Sequence, residues 1–371
     1  MKKNIAIIFL IMLFAAACSS GRHSKPKKPV LKVGKDKVDA FILQQEADNI
    51  PYWVKEGASR RVLVRVSFLD GLMPIGSKAV DSLKGLADKE DFQGLIREGD
   101  AFNQAASYNA GNMVTVANKL GLVDEVYWVV PEFDSITEQD LDGFKKYLKG
   151  RMPDCAHDID AIKLNGAVAE GKIGGIPIMI MSLLDLPRIE KPVLLQVDLS
   201  FFSNLYKDEK ETKILSLVSA FINTLKEKNL SADIVTISLS NASGVPLRMR
   251  FLGGYLAQLL KDPGMTEKDP PAQWSERTDA WRIAQMSPRD AIPVFKNIIK
   301  ENPKDAATMY DLAEAYFNSG NLEDSRNELA DAARIDPGYS LGYRDFAFRL
   351  AKAGKKEKAD LFLAAAGNIN K

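Results

Sequence analysis

The sequence predicts an α/β domain, a parallel sheet sandwiched by helices, followed by an all-α array of helical hairpins. Three observations carry this reading. Short Val/Ile-rich runs alternate with amphipathic stretches between residues 61 and 260. Strand patterns then stop and a 34-residue period takes over. A segment rich in turn residues, Lys261 to Pro271 with Pro263, Gly264, Pro270 and Pro271, separates the two. The expected organisation is a leader over 1–17, a basic linker over 18–37, the α/β domain over 38–262 and the hairpin array over 272–371.

The leader has Lys2 and Lys3 ahead of an apolar run, Ile5 to Phe14, that is too short to span a bilayer. Ala15, Ala16 and Ala17 then precede Cys18. Small residues at this distance before a cysteine resemble the lipobox of bacterial lipoproteins, although Ala15 stands where that pattern prefers Leu. The resemblance implies an acylated Cys18. Because Ser19 is not an inner-membrane retention residue, it also implies the outer membrane, facing the periplasm. The same alanines would serve an ordinary signal peptidase. Residues 22–37 hold seven Lys/Arg against the lone Asp36, so this basic run is either a solvated linker or a stretch lying on anionic headgroups.

Charge and residue counts exclude several function classes. The chain of 371 residues is 46% hydrophobic and 27% charged, with a net charge of +1 that provides no overall attraction to nucleic acid. Once Cys18 is acylated, Cys155 is the remaining thiol and has no internal partner. The two histidines, His23 and His157, are too few for a multi-His metal site. No cofactor is called for.

Within the α/β region the first element expected is a helix from Asp39 to Ile50. Strands are expected at Arg61–Phe68, Glu125–Val130, Ile176–Met181, Val193–Leu199 and Ala232–Leu239. Helices are expected at Asn112–Leu120, Thr137–Leu148, Glu211–Lys228 and Phe251–Leu260. Gly166-x-x-x-x-Gly171-Lys172 has the outline of a phosphate loop. Ile173 occupies the Ser/Thr position that would reach Mg²⁺, so the stretch reads instead as two strands around a Glu-Gly-Lys turn. Cys155, His157, Asp158 and Asp160 lie close together without the spacing of a closed metal site, which makes them a polar loop.

Beyond residue 272 the unit beginning at Ala306 carries Met309, Leu312, Ala313 and Tyr316, then Gly320, then Ser325, Leu329, Ala332 and Pro337. The unit beginning at Ser340 repeats this with Tyr343, Phe346, Ala347, Leu350, Gly354, Ala359, Leu363 and Ala366. Small residues let paired helices approach and the glycine makes the turn. The pattern resembles tetratricopeptide repeats. An irregular unit upstream, with Ala291, Phe295 and Ile298 on its second helix, is expected to dock on the α/β domain. The resemblance implies a concave groove lined by Tyr310, Glu314, Phe317, Asn318, Arg344, Phe348 and Lys352, suited to a protein or peptide with an acidic group.

The stretches Val64–Met73, Val126–Glu132 and Val193–Ser203 resemble an arginase/deacetylase-like family, including the peptide-arginase relatives. That family places metal-binding carboxylates and a His at two strand ends. Here Ser67, Leu69 and Gly71 occupy the first set of positions. Gln196, Asp198 and Ser200 occupy the second, so one carboxylate survives. The implied domain is a pseudoenzyme; read from the residues alone, it is a generic α/β domain with Asp198 at a strand end. The expected function is a membrane-anchored adaptor that binds partners through its repeats. The alternative is a metal-dependent hydrolase of C–N bonds with an atypical site around Asp198, Asp70 and His157.

Overall fold

A computed structural model describes residues 30–132 and 134–369. The leader and Cys18 lie outside the described residues. Among the described residues the sheet has nine strands: β1 (Leu31–Lys32), β2 (Phe41–Leu43), β3 (Arg61–Val66), β4 (Val123–Val129), β5 (Lys163–Asn165), β6 (Val168–Ile173), β7 (Ile176–Met181), β8 (Val193–Asp198) and β9 (Ser231–Ser238). Their order is β9-β8-β3-β4-β7-β6-β5, with β1 and β2 both paired to β9. From β2 through β9, β8, β3 and β4 to β7 every pairing is parallel. The chain steps from β3 outward to β4 and β7, then returns to β8 on the other side of β3. The β3/β8 boundary is therefore a topological switch point, where α/β sheets leave a crevice at the strands' carboxyl ends.

The expected all-parallel sheet is corrected to a mixed one. β1 runs antiparallel to β9, and β5, β6 and β7 form an antiparallel meander. The cause is local. Ile173 pairs directly with Ile176, which leaves a two-residue loop of Gly174 and Gly175, both at positive φ (58° and 83°). Two consecutive positive φ values define the hairpin turn whose twist matches its strands. The turn lies there and not at Glu170-Gly171-Lys172, which are inside β6.

The helices before the array are α1 (Asn49–Lys55), α2 (Ser77–Asp88), α3 (Phe92–Gly99), α4 (Met113–Lys119), α5 (Glu138–Arg151), α6 (Ala156–Asp160), α7 (Leu199–Leu205), α8 (Ile214–Lys228) and α9 (Phe251–Lys261). The helix expected over Asp39–Ile50 is instead β2, an extended link and a 3-10 turn, Glu46–Asp48, leading into α1. Residues 31–38, mostly assigned to the linker by composition, lie against the sheet. Val33 and Val38 are buried, and their amides donate to the Leu230 and Leu260 carbonyls.

Alternate residues of the central strands enter opposite cores. Val64, Leu195 and Val235 face α7, α8 and α9, whereas Leu63, Leu194 and Ile234 face the layer built from α1 to α6. Burial on both faces explains the near-continuous hydrophobicity of these strands.

The array contains three helical hairpins: α10 (Ala272–Met286) with α11 (Pro288–Glu301), α12 (Ala306–Ser319) with α13 (Leu322–Ile335), and α14 (Leu341–Lys352) with α15 (Lys356–Ile369). Ala313, Leu329, Ala332, Phe346 and Ala347 are buried at the positions the repeat period assigned to packing. The irregular first hairpin does not stand apart. Trp281, Phe295 and Ile298 belong to the same core as the sheet face covered by α8 and α9. Among the described residues, no helix is long and apolar enough to cross a membrane.

Candidate functional site

Three strands arrive at the switch point with the same polar-apolar-polar ending. β3 runs out through Arg65-Val66-Ser67, β8 ends Gln196-Val197-Asp198 and β9 ends Thr236-Ile237-Ser238. In register, Arg65 pairs with Gln196 and Gln196 with Thr236. Side chains alternate across a strand, so these polar residues form rows on a single face, the one covered by α1. The turn before α1 and its first residue supply the matching groups. Glu46 Oε1 accepts Ser67 Oγ at 3.0 Å and Gln196 Nε2 at 3.2 Å, and forms an ion pair with Arg65 NH2 at 2.9 Å. Asn49 accepts from Thr236 Oγ1 at 2.6 Å and donates to Ser238 Oγ at 3.1 Å.

The second row carries Asp198. Its Oδ1 accepts the Ser200 amide at 2.8 Å, and its Oδ2 accepts the hydroxyl of Ser240, a residue held at φ 51°. The Ser200 and Ser67 hydroxyl oxygens are 3.4 Å apart, and Ser200 Oγ also accepts the Phe68 amide at 3.1 Å. Arg65, Glu46, Ser67 and Asp198 are fully buried. Burial pushes the Glu46 carboxyl up to about 7; Arg65 opposes this and the negative Asp198 adds to it. Burial likewise raises Asp198, against the hydrogen bonds from Ser200 and Ser240. Two buried carboxylates thus share one guanidinium, while Glu46 Oε2 has no hydrogen-bond partner.

Ser67, Asp198 and Ser200, singled out as degenerate metal positions, do converge. The donor set does not fit the two-metal centre that the arginase resemblance implies. Leu69 contributes only its carbonyl, which Arg65 Nε occupies at 3.0 Å. Gly71 has no side chain and turns at φ 71° against the Arg65 guanidinium. Among the described residues, no group of three or more His, Cys, Asp and Glu could hold a metal ion. The residues of the alternative hydrolase site are not brought together. Asp70 is paired with Arg151 at 3.3 Å, and His157 is exposed on α6 beside Glu170 and Lys172. The polar loop expected around Cys155 is instead a 3-10 turn, Pro153–Cys155, running into α6, and its polar groups are used by other bonds: Asp158 accepts the Gly174 amide and Asp160 pairs with Lys149.

The repeat groove divides into two parts. Its inner residues are used by the fold. Tyr310 is buried, stacked between Tyr339 and Phe346 with ring centroids 5.2 and 6.0 Å away. Phe317 stacks on Phe346 at 4.5 Å under the Arg349 guanidinium, and Glu314 accepts from Arg349 at 3.1 Å. The chain's own 3-10 turn, Leu247–Met249, packs here. Leu247 joins the array's core, and Arg248 comes within 4.0 Å of Glu314. The outer residues remain accessible. Asn318 and Lys352 are exposed, Arg344 lies over the Phe102 ring at 5.4 Å, and Phe348 is 68% exposed. Sequence reasoning treated all seven groove residues as equivalent because it could not foresee that residues 241–250 would dock against them.

Two arginines make that docking tight. Arg250 grips Asp336 with Nε at 2.7 Å and NH2 at 2.9 Å, and also bonds Gln44 and Asn241. Arg277, fully buried, pairs with Asp311 at 2.5 Å, lies 4.0 Å over the Phe251 ring and donates to the Arg248 carbonyl.

Comparison with known proteins bears on the array alone. Neither a curated protein nor a solved structure matches the chain. A family model described as Tetratricopeptide repeat matches residues 282–344, from the end of α10 into α14. The helical C-terminal region therefore carries tetratricopeptide repeats, which generally bind protein partners.

Proposed function

We propose that this protein is a membrane-tethered adaptor. Its repeat array binds an extended segment of a partner protein through the outer half of the groove, around Asn318, Arg344, Phe348 and Lys352. The single observation carrying this reading is Phe348, a large aromatic left 68% exposed on a repeat helix between two cationic side chains. Exposed aromatic and Arg side chains are typical anchors of protein interfaces. Arg344 and Lys352 suit a partner segment carrying an acidic side chain or a free carboxylate. Residues 241–250 of the same chain pack against the inner groove and narrow it to a cleft of about 280 Å³, so the partner would extend outward from there. The tether in this reading is an acylated Cys18 in the outer membrane, facing the periplasm, followed by the basic run.

The α/β domain is read as a scaffold. In this reading it is a pseudoenzyme of the arginase/deacetylase-like family, a likeness drawn from Val64–Met73, Val126–Glu132 and Val193–Ser203, and the meeting of Ser67, Asp198 and Ser200 at the strand ends supports it. No observation favours the C–N hydrolase alternative.

A photo-crosslinking residue at position 348, introduced in cells, tests the reading. A discrete adduct with another protein is expected in the membrane fraction, and in a Cys18→Ser chain the adduct leaves that fraction. Absence of any adduct from position 348, or equal crosslinking from the exposed Leu184 on the α/β domain, would overturn the binding surface. An adduct that stays with the membrane in the Cys18→Ser chain would overturn the tether.

A further inference from the structure

Beside the switch point a cleft of about 390 Å³ opens between the carboxyl ends of β3 and β4 and the helix α5. This volume is within the range of small-molecule sites, roughly 300–1,000 Å³. The buried Trp128 forms its floor, and Phe68, Phe144 and Tyr147 form its walls. Ring centroids are 6.1 Å apart for Trp128 and Phe144, and 6.4 Å for Phe68 and Tyr147. Four aromatic side chains thus line one small cavity, with Phe68 the most exposed of them.

The rim carries charge of one sign. Glu132 and Asp140 line it, and no lysine or arginine does. Hydrogen bonds from the Thr137 hydroxyl and amide hold Asp140 below the usual carboxylate range, so it stays anionic. Partial burial, then the nearby Asp140 and Asp134, raise Glu132, the behaviour of a carboxylate without a compensating cation. The adjacent cation, Arg151, is already committed: it faces Asp70 at 3.3 Å, donates to the Tyr147 hydroxyl at 2.9 Å and lies 5.5 Å over the Tyr147 ring, which leaves Phe68, Phe144 and Trp128 as the rings open to a ligand.

The buried polar cluster holds this cavity in shape. Trp128 Nε1 donates to the Ser67 carbonyl at 2.8 Å, and the Phe68 amide donates to Ser200 Oγ at 3.1 Å. Ser67 is tied in turn to Glu46. Floor and wall are therefore pinned from below by a network that solvent does not reach, so little ordering remains to be done when a ligand binds.

We propose that this cleft is a binding site for a small alkylated ammonium ion. Aromatic faces with a carboxylate at the rim are the surroundings such a cation prefers, because its charge is spread over methyl or ethyl groups that pack on rings and need no hydrogen-bond acceptor. The cleft is distinct from the repeat groove, and the proposal stands whether or not that groove binds a partner.

Calorimetric titration of the purified full chain with tetraethylammonium and with (2-hydroxyethyl)trimethylammonium tests it. The neutral isostere 3,3-dimethylbutan-1-ol serves as control. Saturable binding of at least one cation is expected, about tenfold or more tighter than the isostere. Glu132→Gln and Phe68→Ala should each weaken it by about fivefold or more while the melting temperature is kept. Both residues are on the accessible side of the cavity, so either variant should fold. No saturable binding of either cation, equal binding of the isostere, or two folded variants that bind like the parent would each overturn the proposal.

Discussion

Arg65 is a full charge in the central strand of the sheet, and the residues around it show how the protein tolerates that. All three of its nitrogens meet an oxygen: Nε the Leu69 carbonyl, NH1 Gln196 and NH2 Glu46. Glu46 is the weak point. With its carboxyl raised from 4.5 to about 7, the folded state keeps a proton that the unfolded chain gives up above about 4.5. Stability from this group is therefore complete at low pH and is lost as pH rises through about 7. Gln cannot ionise, so the stability of Glu46→Gln relative to the parent should rise between pH 5 and pH 8. The gain should reach about 3 kcal/mol at most. Urea denaturation of both proteins at the two pH values measures it, and a constant gap would contradict the assignment. Part of this cluster was legible in the sequence: Ser67, Asp198 and Ser200 stand out at the ends of hydrophobic runs. Glu46 did not, because Asp39–Ile50 read as a helix and nothing local ties position 46 to β3 and β8, both distant in sequence. The available signal was the shared polar-apolar-polar ending of β3, β8 and β9.

At the scale of elements, the array's hairpins were readable because their signals are local. Gly320 and Gly354 take positive φ in the turns, at 90° and 74°, and the small residues recur at fixed offsets. The five predicted strands were readable for the same reason. The meander was misread because two glycine-containing turns competed in one short stretch, and Gly174-Gly175 won by supplying two positive φ values. The helices α2 and α3 were missed. Each buries only a few residues, Val80 and Leu83 in one, Gly94, Leu95 and Gly99 in the other, so their apolar stripe is thin. How the elements join was illegible, since it depends on Arg250 reaching across to Asp336. Gly338 is part of that join: a Cβ there would sit 2.1 Å from Arg250 Cζ. Because this guanidinium is held by four hydrogen bonds, it has little room to yield. Gly338→Ala should therefore cost about 1–3 kcal/mol, as overpacking does. A lowered melting temperature checks this, and an unchanged one would show that the join is looser than described.

For the molecule as a whole, the sheet and the repeats form one body. A continuous core runs from Val66 and Val197 in the strands through Leu256 to Trp281, Phe295 and Leu312 in the array. The buried Arg277–Asp311 pair lies at the join. This explains why the groove is half used: the face that free-standing repeats would offer to a partner is, on its inner side, the seat of the α/β domain. In the proposed reading recognition falls to the outer residues, and those make the central claim testable. An array of peptides ending in a free carboxylate, each also present in amidated form, would be probed with the purified chain and with Arg344→Glu/Lys352→Glu. The account predicts that the parent retains a subset of the free-carboxylate peptides, that amidation weakens them, and that the double variant binds them about tenfold or more weakly. Retention of no peptide, or equal binding by parent and variant, would contradict it.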